Sequence, residues 1–119
     1  MFIYETEEDK YGKQQVHYWL TQGDTCGIIS TPKNEDGTIV DPQLIDVVKF
    51  KLYKNDSSKE CIFQKGMALY DTNKYLFKMT SAENVFDLGK YKYEIEYTFV
   101  DGDVNTPNQW YFEIIEQAV

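Results

Sequence analysis

Basic charge is scarce in this chain: 12 lysine or arginine residues stand against 20 aspartates and glutamates, a formal net charge of −8. Nucleic-acid binding needs a concentrated cationic patch facing the phosphates, and none is visible, so a nucleic-acid partner is not expected. The excess of carboxylates keeps a protein soluble, or faces a basic protein partner or bound cations. Long apolar runs are also missing. No segment approaches the roughly 20 consecutive apolar residues of a membrane span, and residues 1–10 lack the basic and apolar regions of a secretory leader. No membrane partner and no signal peptide are expected, and synthesis is expected in the cytoplasm.

Cysteine is limited to Cys26 and Cys61, at a spacing that matches no metal motif. Both fall in strand-like runs, and buried free thiols acting as small hydrophobes are expected, with a disulfide between them as the alternative. Histidine occurs once, at position 17. A single His on the outward side of a strand, with no nucleophile elbow and no Cys–His signature, is expected to be solvated or part of an interface. Gly23, Gly27 and Gly37 stand too far apart to cradle a phosphate. Catalytic residues, cofactor and metal are therefore expected to be none. The nearest approach to a cation loop is Asp101-x-Asp103-x-Asn105, but its sixth position is Thr106 rather than Gly and its twelfth is Phe112 rather than Glu. A plain hairpin turn is the expected reading there.

Long stretches of helical period are absent too, and strand signals take their place. Aromatic residues make up 16% of the chain, with ten Tyr and seven Phe, a composition that favours strands. The clearest strand lies within 87–100, at Tyr91 to Phe99. Tyr91, Tyr93, Ile95, Tyr97 and Phe99 fall on one face, and Lys90, Lys92, Glu94, Glu96 and Thr98 on the other, because strand side chains alternate. Just before it, Asp87-x-Gly89-x-Tyr91-x-Tyr93 has the form of the tyrosine corner of immunoglobulin-like sandwiches, with Tyr93 in the place of the second disulfide cysteine.

Further strands are predicted over 14–20, 25–31, 48–53, 60–64, 74–79 and 109–115. In them Val48, Phe50 and Leu52, then Tyr75, Phe77 and Met79, then Trp110, Phe112 and Ile114 point inward. Gln22-Gly23-Asp24, Lys33 to Gly37, Asn55 to Ser58, Asp71-Thr72-Asn73 and Asp101-Gly102 are turn signals. Leu44-Ile45-Asp46 reads as a short helical turn or an irregular link. Thr80-Ser81-Ala82-Glu83 reads as a capped helical turn. The sum is an all-β fold, a single immunoglobulin-like antiparallel β-sandwich of about seven strands, with a barrel as runner-up. Residues 1–13 are expected to form an N-terminal arm or edge strand, and 14–119 the sandwich domain.

Aromatics that fall outside the inward sets, Trp19, Tyr53 and Tyr111, are the candidate interaction surface, since exposed aromatics are enriched at interfaces. They suit a protein contact or a sugar platform.

The order of features in the chain carries a resemblance. Gly23-Asp24-Thr25, Asp46-Val-Val-Lys-Phe-Lys-Leu, Leu88-Gly-Lys-Tyr-Lys-Tyr-Glu-Ile-Glu-Tyr, and Asp101-Gly102 followed by Thr106-Pro107 and Tyr111-Phe-Glu-Ile resemble the N-terminal immunoglobulin-like domain of phage upper baseplate proteins. The resemblance spans residues 14–116. It implies a structural module of a phage or prophage tail that docks to neighbouring subunits and that resides in the virion tail; the expected partners are other protein subunits of an assembly, with a further copy of this chain as the alternative. The elongated receptor-binding region that follows the domain in that family has no counterpart in these 119 residues. A carbohydrate-binding sandwich is the alternative function; a small enzyme is the third class, disfavoured by the lone His.

Overall fold

Alternation along Val48, Phe50 and Leu52 and along Tyr91, Tyr93, Ile95 and Tyr97 gives two strands that are each buried on one side only. Such strands must cover that side with a second layer. The computed structural model shows how. It describes residues 2–6, 17–34, 36–55, 60–106 and 109–116, with backbone alone for 2–6, 17, 18, 109, 110 and 112.

Ten strands are present among the described residues: β1 (Phe2–Thr6), β2 (His17–Thr21), β3 (Cys26–Ser30), β4 (Ile45–Lys54), β5 (Cys61–Gly66), β6 (Ala68–Asp71), β7 (Lys74–Met79), β8 (Gly89–Phe99), β9 (Val104–Asn105) and β10 (Gln109–Ile115). Four of them form one sheet in the order β1-β3-β7-β6. The other sheet runs β2-β10-β8-β4-β5, with β9 paired to β8. The fold is thus an all-β immunoglobulin-like sandwich, as the sequence predicts. The three strands beyond the expected seven are β1, β6 and β9, all short pieces at a sheet edge or hairpin. The edges also depart from a purely antiparallel plan, because β1 runs parallel to β3 and β2 runs parallel to β10.

The core lies between the sheets. Phe50 of β4 stacks on Phe77 of β7 with ring centroids 3.8 Å apart, and Tyr93 of β8 lies 5.3 Å from Phe50. Where a disulfide would tie an immunoglobulin domain, this chain therefore packs aromatic rings. Ser30 of β3 and Tyr97 of β8 add a buried hydroxyl–hydroxyl hydrogen bond from one sheet to the other.

Cys26 is buried in β3 and Cys61 is exposed in β5, and both are free. The expectation that both thiols are buried is corrected for Cys61: it opens an edge strand opposite Tyr53, where β4 covers it on one side only. Its thiol donates to the Phe63 carbonyl at 3.3 Å. The helical link expected at 44–46 begins earlier. Asp41 caps a short 3-10 turn, Pro42–Leu44, by accepting from the Gln43 amide at 3.0 Å, and Ile45 already belongs to β4. Proline at the first position of the turn fixes its start.

The tyrosine corner is present: the Tyr91 hydroxyl donates to the Asp87 carbonyl at 2.7 Å. Gly89, at φ +142, occupies backbone space that side-chain-bearing residues avoid. The turn at 80–84 is a capping box, with the Thr80 amide donating to Glu83 at 2.8 Å and the Glu83 amide to the Thr80 hydroxyl at 3.2 Å. Asn84, fully buried behind it, donates its side-chain amide to the Thr21 and Asp24 carbonyls at 2.9 and 2.8 Å, fixing the β2–β3 turn.

Expectations for residues 7–16, for the side chains of His17, Trp110 and Phe112, and for 56–58 in the predicted 55–58 loop lie outside what is described.

Candidate functional site

Because β4, β8, β10 and β2 each bury one face, their opposite faces together make the outward surface of the six-stranded sheet. Register places the three candidate aromatics on it. Tyr111 of β10 is opposite Lys92 of β8, and Lys92 is opposite Tyr53 of β4. Trp19 of β2 is opposite Glu113 of β10, which in turn faces Lys90 of β8. The two tyrosines therefore share one cross-strand row, with stems about 10 Å apart at ordinary strand spacing. Trp19 stands one row along, next to that pair.

Exposure differs among the three. Trp19 is 57% exposed, whereas Tyr53 and Tyr111 are half-buried. The surroundings explain the difference. Among the described strands, β2, which carries Trp19, ends its sheet, while β4 and β10, which carry the tyrosines, each have a strand on both sides. Burial, and next the charge of Glu94, push the Tyr53 phenol above its ordinary pKa. Lys51 binds Glu96 at 2.7 Å, and that bond raises the Lys51 pKa. Aromatic side chains thus alternate with charged ones across this face, among them the Lys51–Glu96 pair.

The 101–105 loop behaves as a turn. The Gly102 amide donates to the Phe99 carbonyl at 2.9 Å, and the Phe99 amide to the Asp103 carbonyl at 2.8 Å. Gly102 at φ +94 closes this three-residue hairpin, a backbone state that favours glycine. The Asp101 carboxylate accepts the Asp103 amide at 2.9 Å. Among the described residues no group of three or more His, Cys, Asp or Glu side chains is placed to hold a metal ion.

Sequence reasoning missed a second exposed feature, the aliphatic residues Leu44, Val47, Val100 and Val104 around this hairpin. The signal was available: two valines bracket an Asp-Gly turn, where polar residues are the rule.

A solved structure, the N-terminal domain of phage TP901-1 ORF48, matches with a TM-score of 0.66 and 12% identity, covering 98% of this chain and all of that one. The fibronectin(III)-like modules of Clostridium thermocellum CbhA match with a TM-score of 0.51 and 10% identity, over 89% of this chain and 94% of theirs. No protein-family model matches, and no curated sequence does. The resemblance to a phage domain read from the sequence is thus borne out as a likeness of fold.

Proposed function

We propose that this chain is a non-enzymatic structural module that docks to other protein subunits of a phage or prophage tail or baseplate, through the outward face of its six-stranded sheet. The observation that carries the reading is the gathering of Trp19, Tyr53 and Tyr111 on one face, interleaved with charged residues. Aromatic anchors within a polar surround are how protein interfaces concentrate binding energy. The phage context rests on the likeness to the TP901-1 domain and on the sequence resemblance. Its place is the virion tail after synthesis in the cytoplasm, and its partners are protein subunits, nucleic acid and membrane excluded. The proposed division is an N-terminal arm or edge strand within 1–13, of which Phe2–Thr6 is described as β1 beside β3, and a sandwich domain within 14–119.

The test uses the subunits encoded beside this gene. Each is purified, mixed with the protein, and followed by light scattering and calorimetry. A defined complex with a tail or baseplate subunit is expected, weakened about tenfold or more by Trp19→Ala, which removes an exposed anchor without opening the core. No complex with any neighbour, or a Kd indifferent to Trp19→Ala and Tyr111→Ala, would contradict it.

A second reading is favoured by one observation: Tyr111 and Tyr53 lie in a row, as a glycan platform requires. Lys92 stands between them and both rings are half-covered, which leaves little flat surface for a sugar. Glycan titration separates the two readings. Saturable shifts at Trp19, Tyr53 or Tyr111 favour the sugar, and flat titrations across a broad panel remove it.

A further inference from the structure

We infer that the end of the outward face where β4 begins and β8 turns into β9 is a separate docking surface for a protein segment carrying an apolar side chain flanked by lysine or arginine. The inference rests on the assembly reading above for its setting, and its argument comes from this end of the sheet alone.

Leu44, Val47, Val100 and Val104 are 53%, 38%, 63% and 60% exposed. They are gathered. The Val100 amide donates to the Leu44 carbonyl at 3.0 Å, and Val47 and Val104 stand opposite the same residue, Thr98, one on each side of β8. Scattered exposed aliphatics are ordinary, but four gathered at one sheet end, around Thr98 and the hairpin, are a concentration of apolar surface of the kind that marks contacts. Hairpin geometry does not ask for them, since Gly102 and the Asp101 carboxylate already build the turn.

Charge selects the occupant. Asp46 sits within the register slip between Ile45 and Val47, and Asp101 and Asp103 flank the hairpin tip; all three are exposed. The next outward lysine along β4, Lys49, is opposite Glu96, whose carboxylate is paired with Lys51, so one ammonium stands near three carboxylates and this end stays net acidic. A second copy of the chain meeting this patch symmetrically would set these carboxylates against their own images, a repulsive arrangement. A partner with apolar and basic side chains meets both features at once. The three carboxylates then lie on the rim, where charge steers encounter, and the four aliphatics bury at the centre.

The experiment follows backbone amide shifts of the full chain by NMR during titration with a synthetic peptide in which lysine alternates with leucine and valine. A matched peptide with glutamate for lysine serves as control. The lysine peptide is expected to shift the amides of Val47, Val100 and Val104, the glutamate peptide to leave them in place, and the Asp101→Asn, Asp103→Asn variant to weaken binding about tenfold. Asparagine keeps an oxygen for the turn, so the hairpin survives that change. Equal shifts with both peptides, or shifts centred away from the patch, overturn the inference. The Val100→Ser, Val104→Ser variant separates it from the function above. If that variant assembles normally with a neighbouring subunit while Trp19→Ala does not, the patch inference falls and the module reading stands. If no subunit binds yet the lysine peptide maps to the patch, the module reading falls and the patch stands.

Discussion

Tyr91 joins a ring that fills the core to a hydroxyl that reaches the Asp87 carbonyl, and the two roles are separable. Tyr91→Phe keeps the ring and removes the hydrogen bond, at a cost of about 1 kcal/mol. Tyr91→Ala also opens a cavity and should cost ~3 kcal/mol or more. Denaturant melts check both; two near-neutral results would remove the corner from the account. The cysteines differ in the same testable way. Burial pushes the Cys26 thiol up to about 11, so it stays protonated and shielded at pH 8, while Cys61 is exposed. A chromogenic disulfide reagent should therefore titrate one thiol rapidly in the folded protein and two in denaturant. Two rapid thiols without denaturant would contradict the placement of Cys26.

Among the elements, the capping box at 80–84 is tied to the β5 edge by Lys65, whose ammonium binds Glu83 at 2.8 Å. That bond first, and the Thr80 amide second, hold the Glu83 carboxyl below its ordinary pKa. A carboxyl with a lowered folded-state pKa adds stability that is present above its unfolded value and is lost as pH falls through the folded one. The stability gap between the native protein and Glu83→Gln should thus be widest near neutral pH and should shrink below about pH 4.5. Urea melts across that range check it; a gap that widens on acidification would contradict the pairing. This turn was legible from Thr80-x-x-Glu83 alone, because capping is local. So were the alternating faces of β4, β7 and β8. The 68–71 strand was not, since it is exposed throughout and exists only by pairing with β7. Likewise Cys61 looked buried because its β-rich neighbours say nothing about which strands end at a sheet edge.

For the whole molecule, one sheet offers most of the recognisable surface. The four-stranded sheet gives Ile28, Phe77 and Met79 to the core, while the six-stranded sheet gives its inner face to the core and presents aromatics and charges outward. The sequence carried the identities of Trp19, Tyr53 and Tyr111 but not their convergence, because that depends on which strands are neighbours, and β2 beside β10 is a long-range, parallel pairing. The central claim, docking through this face, is tested most directly by hydroxyl-radical footprinting of the protein alone and in complex with its neighbouring subunit. Oxidation of Trp19 should fall several-fold on complex formation and that of Tyr111 should fall with it, while Tyr70, exposed on β6 of the other sheet, keeps its rate. Unchanged oxidation at Trp19 and Tyr111, with protection at Tyr70 instead, would contradict the account.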